Sequence, residues 1–165
     1  MTPEPTEEEI ASLEEMLDSE AEAHGYHLTP DREALHALLK GLITNSRRYG
    51  YPACPCRLSF GKKEEDIDII CPCDYRDQDI DEYGACYCSL YVSKKVLSGE
   101  EEIECIPERR PPRAERKREF VIKEGAGFAL PVWRCRVCGY LAARKHPPET
   151  CPICGVDKDR FEQFA

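Results

Sequence analysis

Long hydrophobic runs are missing from this 165-residue chain. No apolar stretch approaches the roughly 18 residues that a membrane-spanning helix requires. The acidic N-terminal segment also lacks the basic start and apolar centre of a secretion signal. Positive charge is scarce: 23 Lys and Arg stand against 32 Asp and Glu, a formal net charge of −9. The pI is about 5.0 and the mean hydropathy −0.57. A nucleic-acid binder needs a basic footprint, so this balance argues against nucleic acid as a partner, as the missing apolar runs argue against a membrane. Histidine occurs four times, at His24, His27, His36 and His146, with no metal-ligand spacing. Each is read as a surface or satisfied residue. These absences leave a cytoplasmic protein of one domain or two small ones.

What is present in excess is cysteine, eleven residues in all. In the cytosol such thiols serve metal or redox chemistry rather than structural cross-links. Charge and cysteine divide the chain at the same places. Residues 1–105 carry a net −14 and seven cysteines, residues 106–118 carry +4 and none, and residues 119–165 carry +1 and four. The expected organisation is a cysteine-bearing domain over 1–105, a basic linker over 106–131, and a second cysteine-bearing domain over 132–165. The linker contains Pro107, Pro111 and Pro112 among Arg109, Arg110, Arg113, Arg116, Lys117 and Arg118. It reads as a solvated, self-repelling spacer, or alternatively as a docking strip for an acidic electron donor.

Thr6 with Glu9 three residues on forms a capping box, and Ile10, Leu13, Leu17 and Ala21 follow at helical spacing, with Gly25 as the stop. A second helix is predicted with Thr29 as N-cap and Pro30 at its first position. Its apolar face is Leu35, Leu38, Leu39, Leu42 and Ile43, and it fades by Arg48. Gly41 within it costs roughly 1 kcal/mol. Both helices are read as scaffold.

Cys135-x-x-Cys138-Gly139 and Cys151-Pro152-x-Cys154-Gly155 are two knuckles separated by twelve residues. Each wraps one side of a tetrahedral metal, and the glycine after the second cysteine can take a positive φ so that backbone N–H groups face the sulfurs. So short a domain cannot bury enough apolar surface to fold alone, and metal ligation contributes much of its folding energy. A zinc ribbon uses the same four ligands. Trp133-Arg134-Cys135-Arg136-Val137-Cys138-Gly139-Tyr140, Cys151-Pro152-Ile153-Cys154-Gly155, Phe161 and Phe164 together resemble the short rubredoxin domain that ends rubrerythrins. The resemblance implies a small β domain with one iron held by Cys135, Cys138, Cys151 and Cys154, zinc being the possible substitute. It also places Trp133, Tyr140, Phe161 and Phe164 in the core.

The N-terminal region carries three Cys-x-Cys pairs, Cys54-Pro55-Cys56, Cys71-Pro72-Cys73 and Cys86-Tyr87-Cys88, with Cys105 alone and read as an inert thiol. Six paired thiols exceed one four-ligand site and fall short of two. A 4Fe–4S cluster takes four, leaving two for one redox-active disulfide. A zinc-thiolate site with spare thiols is the other reading.

The run Tyr49-Gly50-Tyr51-Pro52-Ala53-Cys54-Pro55-Cys56-Arg57, with Cys71-Pro72-Cys73 and Cys86-Tyr87-Cys88-Ser89-Leu90-Tyr91, resembles the catalytic subunit of ferredoxin-thioredoxin reductase. With the rubredoxin tail, the whole chain looks like the ferredoxin:disulfide reductases of methanogenic archaea. The resemblance implies a mainly α N-terminal iron–sulfur domain. It also implies that Cys54, Cys71, Cys73 and Cys86 hold a 4Fe–4S cluster and that Cys56 and Cys88 form the active disulfide; spacing alone does not choose the four. Ferredoxin is the implied donor and a thioredoxin-like disulfide protein the implied substrate. Two single electrons open Cys56–Cys88, Cys56 attacks the partner's disulfide, and Cys88 resolves the mixed disulfide. Cys56 is then expected to be the more exposed thiol, with a lowered pKa. Neighbouring Arg57 is read either as an electrostatic aid or as a merely solvated side chain.

Two departures from the plant-type pattern stand out. Tyr87 occupies the place of a histidine, and a phenol is too weak an acid to serve as the same proton carrier at neutral pH. The connection from Asp74 to Ala85 is read as a long acidic loop. Rubredoxin centres generally lie above thioredoxin-type disulfides, at about −270 mV, in potential. The appended centre is therefore read as an electron exit or second acceptor. The alternative function is a non-enzymatic carrier in which two iron centres pass electrons and the Cys56–Cys88 pair is idle.

Overall fold

In the computed structural model, residues 3–116 and 130–164 are described. The chain divides into two units, Met1–Glu108 and Arg109–Ala165. Of the expected linker, positions 117–129 lie outside the described residues. The part before them includes one short 3-10 turn, Arg113–Glu115.

The first unit begins with a helix set by local chemistry. Thr6 Oγ1 accepts the Glu9 N–H at 3.3 Å and the Glu9 carboxylate accepts the Thr6 N–H at 2.7 Å. This reciprocal cap starts α1, Glu7–Ala23. The helix ends at His24, followed by Gly25 at φ +80°.

The second helix starts later than the sequence predicts. α2 spans Arg32–Tyr49, its N-cap is Asp31 rather than Thr29, and Pro30 lies outside it. The cause is a tertiary pairing. His27–Leu28 (β1) pairs antiparallel with Tyr91–Val92 (β2), and the Thr29 N–H continues the pairing by donating to the Leu90 carbonyl at 3.0 Å. Residues 27–29 are therefore held extended, and the helix begins where Asp31 Oδ1 accepts the N–H groups of Glu33 and Ala34. Its far end is Gly50 at φ +81°.

Ile10, Leu17 and Ala21 of α1 share one buried cluster with Leu35, Leu39 and Leu42 of α2. Full burial of one Leu contributes about 2 kcal/mol, which outweighs the helix cost of Gly41. Gly41 also has a positive reason to be there: a Cβ added to it would lie 2.8 Å from Pro55 Cβ. Glycine is what lets the first cysteine pair approach the helix so closely.

Beyond α2 the elements are short: Lys63–Asp66 (α3), a 3-10 turn Ile67–Ile69, Arg76–Tyr83 (α4) and Lys94–Leu97 (α5). The expected acidic loop from Asp74 to Ala85 is thus largely α4. Arg76, Asp79 and Ile80 fall at i, i+3 and i+4 and are its buried side, which gives this polar segment a reason to coil. Among the described residues, no helix is long and apolar enough to cross a membrane.

The second unit is a three-stranded antiparallel sheet of order β4-β3-β5, built from Val132–Cys135 (β3), Leu141–Ala143 (β4) and Phe161–Gln163 (β5). Its buried cluster is Cys135, Val137, Cys151, Val156 and Phe161, with Trp133 and Tyr140 packed half-buried against it. Phe164, expected in this core, is instead 50% exposed. Side chains alternate faces along an extended chain, so inward Phe161 turns Phe164 outward, where the Arg134 guanidinium lies 5.5 Å from its ring centre.

Candidate redox site

Two isolated bridges assemble the three N-terminal cysteine pairs. Ala53 and Ile70 bridge antiparallel, the Cys54 N–H donating to Ile69 O and the Cys71 N–H to Pro52 O, both at 2.8 Å. The first and second pairs are thereby set side by side. Asn45 on α2 fixes the first of them, its Nδ2 donating to Ala53 O at 2.9 Å. The third pair sits on a turn closed by the Ala85–Val92 bridge, where Cys86 N–H donates to Tyr91 O at 2.9 Å and Ser89 takes φ +58°. Cys54, Cys73 and Cys86 are buried, Cys71 and Cys88 half-buried, and Cys56 exposed.

Cys88 is the hub of these thiols. Its sulfur lies 3.7 Å from that of Cys86, it packs against the buried cluster that holds Cys54, and Cys54, Cys56 and Cys86 all act on its titration. Cys88 is the leading reason why Cys54, Cys56 and Cys86 are more acidic than an ordinary thiol, Cys56 at about 7, while Cys88 itself is pushed well above. Arg57 adds a further favourable charge for Cys56. Cys71 and Cys73 are pushed up by burial, Cys73 to about 12. Backbone N–H groups face the sulfurs: Tyr91 N–H donates to Cys86 Sγ at 3.3 Å, joined by those of Cys88 and Leu90, and Tyr75 N–H serves Cys73.

Arg57 is not solvated. Its side chain is fully buried, ion-paired with Asp79 at 3.4 Å and with Glu108, and its guanidinium stands 4.7 Å from the Tyr75 ring centre and 4.4 Å from that of Tyr87. Its Nε is buried without a hydrogen-bond partner among the described residues. Asp66, likewise buried, holds the following loop by accepting from Tyr51 Oη at 2.8 Å, Phe60 N at 2.7 Å and Gly61 N at 2.9 Å. Neither Asp66, Asp79 nor Glu108 is singled out by sequence reasoning, because nothing near them in the chain marks an acid as buried. Gly41 did carry a signal, an unfavourable residue inside a strong helix pattern. The four histidines are not part of this cluster; His36 pairs with Glu7 at 3.1 Å and His24 Nδ1 bonds the Glu20 carbonyl. Cys105 is exposed.

In the second unit, Gly139 and Gly155 take φ +75° and +72°, turning the chain so that N–H groups of Val137 and Cys138 face Cys135 and that of Tyr140 faces Cys138. The sulfurs of Cys135, Cys138, Cys151 and Cys154 all lie within 4.8 Å of one another, with Cys135–Cys154 and Cys138–Cys151 at 3.6 Å. A tetrahedral ion with metal–sulfur bonds of about 2.3 Å has ligand edges of about 3.8 Å. The four thiols fit one ion. Cys135, pushed down to about 5 by its bond with Cys154 and by the backbone donors, is already biased toward thiolate.

The four-thiol site, taken with two family matches, supports a redox iron–sulfur protein. The family described as ferredoxin thioredoxin reductase catalytic beta chain matches residues 3–108, and the chain belongs to that family. The rubrerythrin, rubredoxin-like domain matches residues 133–162, which supports one iron at the four C-terminal thiols. Reverse rubrerythrin-1 of Clostridium acetobutylicum is 48% identical over 29 residues, 18% of this chain and 16% of that protein. The chain thus spans under a fifth of that relative's length.

Proposed function

We propose that this chain reduces protein disulfides, of a thioredoxin-like partner, with single electrons from ferredoxin, in the cytoplasm. Cys54, Cys71, Cys73 and Cys86 are assigned to a 4Fe–4S cluster, Cys56 and Cys88 to the exchange pair, and Cys135, Cys138, Cys151 and Cys154 to a single iron. The observation that carries this reading is Cys88, whose sulfur lies 3.7 Å from that of buried Cys86, which packs against the cluster holding buried Cys54, and whose titration depends on exposed Cys56. Two further features suit the cluster: backbone donors at Cys54, Cys73 and Cys86 that lower the cost of thiolate charge, and the orphaned buried Nε of Arg57.

When bound, the cluster accepts electrons singly beside a bond whose cleavage takes two. The residues do the rest. Cys56, exposed and acidified, attacks one sulfur of the partner's disulfide, expelling the other as a thiolate that takes up a proton. Cys88 then attacks Cys56, releasing the partner as a dithiol and closing Cys56–Cys88. Two electrons and two protons are consumed per partner disulfide. The N-terminal unit is the reductase and the C-terminal unit an accessory electron centre, an exit or second acceptor, joined by the basic connector.

Anaerobically prepared protein is expected to hold about five irons and four sulfides per chain. Cys56→Ser should keep that content and lose single-turnover reduction of thioredoxin. Equal rates in variant and parent would favour a carrier without exchange chemistry, and colourless protein holding zinc without sulfide would overturn the reading.

A further inference from the structure

Arg57 joins all three cysteine pairs. It follows Cys56 directly, it lies against Tyr75, two residues beyond Cys73, and against Tyr87, between Cys86 and Cys88. No part of its side chain reaches solvent, and a guanidinium does not lose its proton in a protein. It is therefore a fixed positive charge inside the thiol cluster, where low dielectric makes a charge act strongly. Its two counter-charges differ. Asp79 is fully buried and belongs to α4, whereas Glu108 keeps 40% of its side-chain exposure and comes from the last residue of the unit. The segment leading to Glu108 is anchored by Ile106, packed against Ala85, Val92 and Val96.

We propose that Arg57 sets the reduction potential of the centre held by Cys54, Cys71, Cys73 and Cys86, and that Glu108 is the removable counter-charge that trims it. This rests on the cluster assignment above. An added electron makes the centre more negative, so the buried cation favours the reduced state and the carboxylate beside it offsets part of that effect. Arg57 acts through its field and is a tuning residue.

The test is an EPR-monitored redox titration of the full chain, with the single-iron centre read in the same sample as a check on loading. Arg57→Gln should move the cluster potential negative and Glu108→Gln should move it positive. Each shift should be about tenfold in the reduction equilibrium, about 59 mV for one electron. Glu108→Gln alters a partly exposed side chain, so it keeps the test decisive if Arg57→Gln fails to fold. Opposite shifts with unchanged iron and sulfide support the proposal. A loaded cluster whose potential does not rise in Glu108→Gln overturns it while leaving the proposed function standing. Protein without sulfide overturns the cluster assignment and this inference together.

Discussion

The two units solve the same problem, holding thiols in place, by opposite means. In the first, α1 and α2 bury Ile10, Leu17, Leu35, Leu39 and Leu42, and the cysteine turns are fastened to that scaffold by two bridges and by Asn45. In the second, two of the five residues in the buried cluster are themselves metal-site cysteines, Cys135 and Cys151. The first unit has a core that carries a site, whereas in the second the site is itself part of the core. The difference teaches where metal binding is folding energy and where it is mainly chemistry.

Metal removal should separate the units most sharply. Trp133, the one tryptophan of the chain, lies in the second unit, so its fluorescence reports that unit while helical circular dichroism reports the first. Cys154→Ser, or strong chelation under denaturing exchange, should expose Trp133 and abolish its unit's folding, an effect on the order of 10 kcal/mol. Helical signal should remain. Equal loss of both signals would mean that the first unit also folds only around its metal.

The reverse experiment is Leu39→Ala. Leu39 is 0% exposed at the α1–α2 contact, and its truncation should cost the first unit about 2–5 kcal/mol in urea unfolding, with the Trp133 signal unchanged. Gly41→Ala comes next. It gains about 1 kcal/mol of helix propensity but sets a methyl 2.8 Å from Pro55, an overpacking cost of about 1–3 kcal/mol. Net destabilisation of roughly 1 kcal/mol, with altered iron loading at the first pair, is expected from titration and metal analysis. A stabilised, fully loaded variant would show that Pro55 yields freely. The smallest effect belongs to Phe164→Gln, which should move the second unit's stability by less than about 0.5 kcal/mol in thermal unfolding, because the ring is already half outside.

Legibility followed the range of the interactions. The Thr6–Glu9 box and the glycine turns after Cys138 and Cys154 are made within a few residues, and they stand where the sequence places them. The N-cap moved from Thr29 to Asp31 because Leu90, far along the chain, captured the Thr29 N–H. The segment after Cys73 looks like an acidic loop until Arg76, Asp79 and Ile80 find something to be buried against. Arg57 has two sequence readings, aid or solvated charge, and only its partners choose between them. Tyr75 and Asp79 at α4, Tyr87 within the third cysteine pair, and Glu108 come from three different places in the chain.

Composition and spacing alone determined that this is a two-part thiol protein, one part helical with three Cys-x-Cys pairs and one part a four-cysteine knuckle domain. Ligand type and local turn chemistry are written in short stretches, and no distant residue can rewrite them. Tertiary structure alone decided which thiol lies at the hub and which charges stand inside with the thiols. Burial and electrostatic pairing arise from chain segments meeting across the fold, and a buried charge is stable only where its partners have already arrived.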